Sequence, residues 1–297
     1  MEFIKAKTLL TKVKNGDMWY GIDYNMNLYR GCSHGCIYCD SRSNCYHIDN
    51  FDVVRGKENA LSILENELVR KKQKGVIGIG AMSDTYNPQE LKYELTRGAL
   101  RLIEKYGFGV SVDTKSDLVL RDMDLLKKIN EKNDVIVKLT ITTPNDDLSR
   151  IIEPRVCSSS QRFETVKALN ENGIFAGVMM NPTLPFITDK PEDIRQMVYL
   201  AHKNGAKFIH TFLGMTLREN QRDYYYRQLA KHFLNLKDRY IKAYGDRYVC
   251  NAQNHNYLFG IFKNECDKYG ILYDMKDIIR AYKTQAEIYE QTTFFSI

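Results

Sequence analysis

The chain has 297 residues, 43% of them hydrophobic and 27% charged. That excludes global disorder and a disulfide-stapled miniprotein, and it is enough chain for one large core with an appendage. Lys and Arg outnumber Asp and Glu by 43 to 37, a net charge of +6 that permits a polyanionic partner without requiring one. No apolar run reaches the roughly 18 residues of a membrane-spanning helix. Residues 1–14 place Glu2, Lys5, Lys7, Lys12 and Lys14 among short apolar pieces, unlike a signal peptide. The expectation is a cytoplasmic monomer without membrane contact. Seven cysteines, an odd count with no secretory signal, point to metal binding or catalysis rather than a disulfide framework.

In chain order, residues 25–30 read as a first strand that runs into a cysteine cluster. Residues 75–80 are a short, glycine-punctuated apolar strand, and 88–106 carry helical apolar spacing. Strands follow at 108–112, 135–141, 174–180 and 207–212, with helices between them at 118–130, 160–172 and 190–204. Gly173 ends one helix in the usual C-terminal manner. Short connections and strict alternation imply parallel neighbours, hence an α/β fold. Six βα units predict a partial (β/α)6 TIM-type barrel over residues 1–215. Residues 216–297 read as a helical C-terminal extension, with helices over 218–245 and 254–289 and a short strand at 247–249. Polar residues gather at the predicted strand ends, where chemistry collects in such barrels: Ser83-Asp84, Thr114-Lys115, Thr140 to Thr143 and Asn181-Pro182.

Cys32, Cys36 and Cys39 form a CxxxCxxC motif, with Tyr38 directly before the third cysteine. Three thiolates on one loop can hold three corners of an iron–sulfur cubane and leave one iron open to a small molecule. Gly31 and Gly35 let the backbone fold tightly around the sulfurs. Zinc is the alternative, although zinc sites usually pair two such elements and no second half exists here. A non-catalytic iron–sulfur or zinc-binding module is therefore the competing class.

The motif resembles the cluster signature of the radical S-adenosylmethionine (SAM) superfamily. Residues 25–32, Ser83-Asp84 with Tyr86, Pro88 and Glu90, Thr114-Lys115-Ser116, and Ile152-Glu153-Pro154 together resemble the spore photoproduct lyase-like branch, over roughly residues 24–212. The resemblance implies a lyase-like enzyme with a 4Fe–4S cluster on Cys32, Cys36 and Cys39. It implies that SAM binds the fourth iron and is cleaved reductively to a 5′-deoxyadenosyl radical that abstracts hydrogen. An electron donor such as flavodoxin or ferredoxin follows from that chemistry. Carried over residue by residue, Tyr38 lies near the adenine, and Ser83 and Lys115 grip the methionyl carboxylate, with Asp84 beside them. Thr140 contacts the ribose and Asn181 the adenine. Two positions depart from the branch: Met82 stands before Ser83 where that branch has a cysteine, and Asp40 follows the third cluster cysteine in place of an aromatic residue. The substrate is therefore open. Modification or repair of DNA or RNA is the first expectation, and a peptide or small molecule the alternative.

Outside the motif, Cys45 is a candidate radical-quenching thiol or switchable ligand, Cys157 on a strand-end loop is a candidate to face the substrate, and His34 reads as an exposed loop residue. Residues 218–247 carry eight Lys or Arg against four Asp or Glu, with Tyr224, Tyr225, Tyr226, Tyr240 and Tyr244 interleaved. That is either a nucleic-acid surface or an amphipathic helix with a solvated basic face and tyrosines packed on the barrel; charge runs are usually the latter. At the end of the chain, Gln291 with Phe294-Phe295 loosely resembles the tail peptides that bind the replication sliding clamp.

Overall fold

The structure is a computed structural model and describes residues 1–14 and 19–283. It opens on strands β1 (Glu2–Ile4) and β2 (Leu10–Lys12). Next come β3 (Tyr24–Met26), β4 (Tyr29–Arg30), the cysteine loop and β5 (Arg55–Lys57). Then helices and strands alternate: α1 (Ala60–Arg70), β6 (Val76–Ile79), α2 (Glu90–Tyr93), α3 (Leu95–Lys105), β7 (Gly109–Thr114), α4 (Met123–Asn130), β8 (Val135–Thr140), α5 (Asp146–Ile152), α6 (Ser159–Glu171), β9 (Phe175–Met179), α7 (Pro191–Lys203) and β10 (Ile209–His210). The last third holds β11 (Gly214–Thr216), α8 (Gln221–His232), α9 (Leu236–Tyr244), β12 (Val249–Asn251), α10 (His255–Tyr269) and a helical stretch over 275–283.

The main sheet is ordered β10-β9-β8-β7-β6-β3-β2, parallel throughout except for β2, which lies antiparallel on the outer edge of β3. It is the predicted six-unit half-barrel, open rather than closed. Buried on both faces, its strands are near-continuous β-branched runs; all six residues of β8 are buried. The pleat sends Val135, Val137 and Leu139 outward into the core shared with the helices, and Ile136, Lys138 and Thr140 inward. The helices bury one stripe each, as α3 does with Thr96, Ala99, Leu100 and Ile103. The start of α6 is fixed by a capping box between Ser158 and Gln161.

Leu272 adds a parallel bridge beside β10, and the following helix returns to the N-terminal end of the strands. There Ile278 and Tyr282 pack with Tyr20, Ile22, Val76, Ile136 and Phe208, closing that end. At the opposite end, β11 pairs antiparallel with β12, and α8 and α9 between them form a second core directly on the cysteine loop. Tyr225, Tyr240 and Tyr244 are buried in this core with Cys36, Ile37 and Tyr38.

Several sequence expectations need correcting. The first strand divides: residues 24–26 join the main sheet, whereas Tyr29 and Arg30 pair with β5 in a separate sheet with β1. The helix expected over 88–106 breaks at Glu94, whose φ is 47°. The one over 254–289 stops at Gly270 (φ 66°), so that Leu272 can reach β10. β11 has no counterpart in the sequence reading, and neither does α1, although Ala60, Leu64 and Leu68 repeat at four-residue spacing on its buried face. Among the described residues no helix is long and apolar enough to cross a membrane. The Gln291 and Phe294-Phe295 tail lies outside the described residues.

Candidate active site

A cavity of about 600 Å³ opens at the C-terminal end of the parallel strands. Cys32, Cys36, Cys39 and Tyr38 of the cysteine loop line it, as do Asp84 after β6, Lys115 after β7, Thr140 at the end of β8 and Asn181 after β9. Eight of the residues singled out from the sequence thus meet in one space, although they come from five separate stretches of chain.

Two glycines permit the approach. Gly31 has a φ of 79°, and a Cβ there would sit 2.4 Å from the carbonyl oxygen of Val53. Gly80, at a φ of 95°, would place a Cβ 2.0 Å from the carbonyl oxygen of Asp113. No other residue fits these close, left-handed positions without moving the backbone.

The cysteine loop is held on both sides. From one side, the Ile37 amide donates to the Ile152 carbonyl at 3.0 Å, and Arg155 donates from its amide to His34 O and from Nη1 to Ser33 O. From the other side, Gln221 Nε2 donates to the carbonyls of Tyr38 (2.9 Å) and Thr216 (2.8 Å). Beneath the loop the Tyr38 hydroxyl donates to Glu153, which pairs at 2.6 Å with Arg162; both charged side chains are fully buried. Arg162 also donates to Thr140 O at 2.7 Å and Ser149 Oγ at 2.8 Å. Burial would raise the Glu153 carboxyl, but Arg162, Lys115 and Tyr38 outweigh it and hold the group below its ordinary range. Arg162 was not legible as a site residue; its only sequence signal is a basic residue one turn into a helix that follows Glu153-Pro154.

Asp84 ties the end of β6 to the end of β7. Its Oδ1 accepts from Thr114 Oγ1 (2.7 Å) and the Tyr86 amide (2.9 Å), and its Oδ2 accepts from the Lys115 amide (2.8 Å). His34 Nδ1 lies 3.5 Å from the same carboxylate. Contrary to expectation, His34 is buried, at 4% exposure, and lines the cavity. Burial pulls the Lys115 ammonium down, but Cys36 as thiolate, Glu153, Asp84 and Cys39 as thiolate outweigh it and hold the pKa above the usual value. Burial pushes the Cys32 thiol up to about 12, with Asp84 adding to the effect, and raises Cys36 and Cys39 as well. A metal that binds here displaces those protons.

Three predicted residues lie elsewhere. The Ser83 hydroxyl donates to the Gly31 carbonyl, behind the cysteine loop, and does not line the cavity. Cys157 faces a separate depression and donates its thiol to Lys115 O at 3.1 Å. Cys45 is exposed, 3.4 Å from Arg218 Nη1. The interleaved tyrosines are not a stacking surface: Tyr225 and Tyr240 bond each other at 3.0 Å inside the core, and Tyr224 stands over Arg42. The exposed aromatic rings at the site are instead Trp19, Phe212 and Tyr248, all on the cavity wall.

Cys32, Cys36 and Cys39 line one cavity, and a cubane asks each of three thiolates to hold a separate iron. A family model, the radical SAM superfamily, matches residues 26–198. The chain belongs to that superfamily and is a radical SAM enzyme; the family implies a 4Fe–4S cluster and SAM. Among its relatives, an uncharacterized protein of Methanocaldococcus jannaschii is 37% identical over 192 residues, 64% of this chain and 70% of that one. An uncharacterized protein of Mycobacterium tuberculosis is 29% identical over 248 residues, 81% of this chain and 72% of its own. The fold is similar to spore photoproduct lyase complexed with dinucleoside spore photoproduct (TM-score 0.68, 15% identity, 92% of this chain and 81% of that one). It is also similar to the methyltransferase TsrM of Kitasatospora setae (TM-score 0.55, 11% identity, 91% and 62%).

Proposed function

We propose that this enzyme abstracts hydrogen from a nucleic-acid substrate, in modification or lesion repair. The observation that carries the reading is the convergence of three cysteine thiols, Lys115, Thr140 and Asn181 on one cavity with an exposed aromatic rim. Bound there, the cluster and SAM supply a 5′-deoxyadenosyl radical on one-electron reduction. The chain's own groups bind and orient. Cys32, Cys36 and Cys39 hold three irons. The Lys115 ammonium receives the methionyl carboxylate, since a compact cation is a natural carboxylate partner. Thr140 and Asn181 face the ribose and adenine, and Tyr38 is fixed near the adenine by its bond to Glu153. Ser83 acts behind the loop, bracing Gly31, rather than on the carboxylate. Residues 1–215 carry the catalytic groups, and the β11–β12 pair with α8 and α9 covers the cysteine loop. A small reductant such as flavodoxin or ferredoxin supplies the electron.

Two features support the nucleic-acid substrate. The fold is shared with a lyase whose solved complex holds a dinucleoside photoproduct. Trp19, Phe212 and Tyr248 are exposed aromatic side chains on the cavity wall, the residue type on which bases stack. Repair of that same photoproduct is not implied, because Met82 stands where a quenching thiol is expected and neither Cys45 nor Cys157 lines the cavity. The test is to incubate reduced enzyme with deuterium-labelled DNA, RNA and peptide. Label in 5′-deoxyadenosine from a nucleic acid supports the reading; label from peptide alone contradicts it.

A further inference from the structure

The inside of the half-barrel is more polar than packing requires. The Asn25 Oδ1 on β3, the His210 Nδ1 on β10 and the Tyr20 hydroxyl before β3 are buried without a hydrogen-bond partner. Between them, on the inner face of β7 and β8, Lys138 Nζ donates to Ser111 Oγ at 2.7 Å and pairs with Asp113 Oδ1 at 3.1 Å, 4.4 Å from the centre of the Tyr20 ring. The Lys138 side chain is 1% exposed and that of Asp113 15%. Asp113 is the member that reaches the cavity, where it lines the wall with Trp19 and Met179.

Stability does not account for this pair. A buried ion pair adds little over well-packed apolar residues of the same volume. The orphaned atoms around it mark an interior built for polar contents, water or ligand. The pair sums to zero charge, so it suits a neutral donor rather than a cation. A carboxylate only accepts, so what docks there must bring an N–H or O–H.

Resting on the nucleic-acid reading above, we propose that Asp113 forms the floor of a substrate pocket and accepts the ring N–H of a nucleobase turned into the cavity. Lys138 is a positioning residue that holds the Asp113 carboxylate in place. A base must leave its stack to reach this depth, so single-stranded or flipped-out bases are the substrates.

The test uses uridine, whose base has one N–H, and 3-methyluridine, whose base has none. Each is dialysed to equilibrium against the anaerobically reconstituted holoenzyme with SAM present. Uridine should bind about tenfold more tightly, the usual worth of a hydrogen bond to a charged acceptor. In the double variant Asp113→Leu with Lys138→Met, which strands no buried charge, the ratio should fall to near unity with the melting temperature retained. Equal binding of the two nucleosides by the wild type overturns the proposal, and this comparison decides the matter even if the double variant fails to fold. A folded double variant that still discriminates also overturns it. Uridine discrimination without deuterium transfer from any oligonucleotide would support the floor and sink the nucleic-acid reading; deuterium transfer without discrimination would do the reverse.

Discussion

Lys115 is fixed at its backbone from two directions, by Asp84 at its amide and by Cys157 at its carbonyl. Its ammonium stands among sulfurs and acids that keep it charged. Lys115→Ala should therefore weaken SAM binding about tenfold or more, the worth of a charge-assisted bond, while iron content stays at the wild-type level. Equilibrium dialysis with labelled SAM and an iron assay on the same sample check both halves. Glu153 gives a pH prediction. Its folded pKa is depressed, so its contribution is complete above the unfolded carboxyl value of about 4.3 and is lost as pH falls through the lower folded value. The wild-type melting temperature should drop steeply below about pH 4, and that of Glu153→Gln should start lower and change less there. Removing the partner is worse. Arg162→Met leaves the Glu153 carboxylate buried and uncompensated, a loss of about 3–5 kcal/mol or roughly 10 °C in melting temperature, measurable by calorimetry.

At the scale of elements, the cysteine loop is bracketed by α5 and α6 on one side and α8 on the other, and it folds only because Gly31 takes a positive φ against the Val53 carbonyl. Gly31→Ala must shift backbone, at a cost of about 1–3 kcal/mol. Anaerobic reconstitution of that variant should recover clearly less iron per chain than wild type, whereas a substitution at the exposed Cys45 should not. Much of this was legible in the sequence. The β-branched runs set five of the six parallel strands to within a few residues, and the cysteine spacing set the loop. The short strands β1, β5 and β11 were not legible, because runs of three residues carry no period. Nor was the inward Lys138, which looks like an ordinary polar break in a strand until β7 is seen to place Asp113 beside it.

At the scale of the whole molecule, the two ends of the half-barrel have different work. Residues 272–283 close the N-terminal end with Ile278 and Tyr282, and the β11–β12 pair with α8 and α9 covers the cysteine loop at the other. The basic segment follows the amphipathic reading: its charge is on the surface and three of its five tyrosines are core residues, a distinction set by which helix face meets Cys36 and Ile37. The central claim is that this covered cavity cleaves SAM. Anaerobically reconstituted enzyme, reduced with dithionite and given SAM, should release 5′-deoxyadenosine, and Cys32→Ala, Cys36→Ala and Cys39→Ala should each lose both iron and product. Full iron content in all three variants, or a fully loaded wild type that leaves SAM intact, would contradict the account.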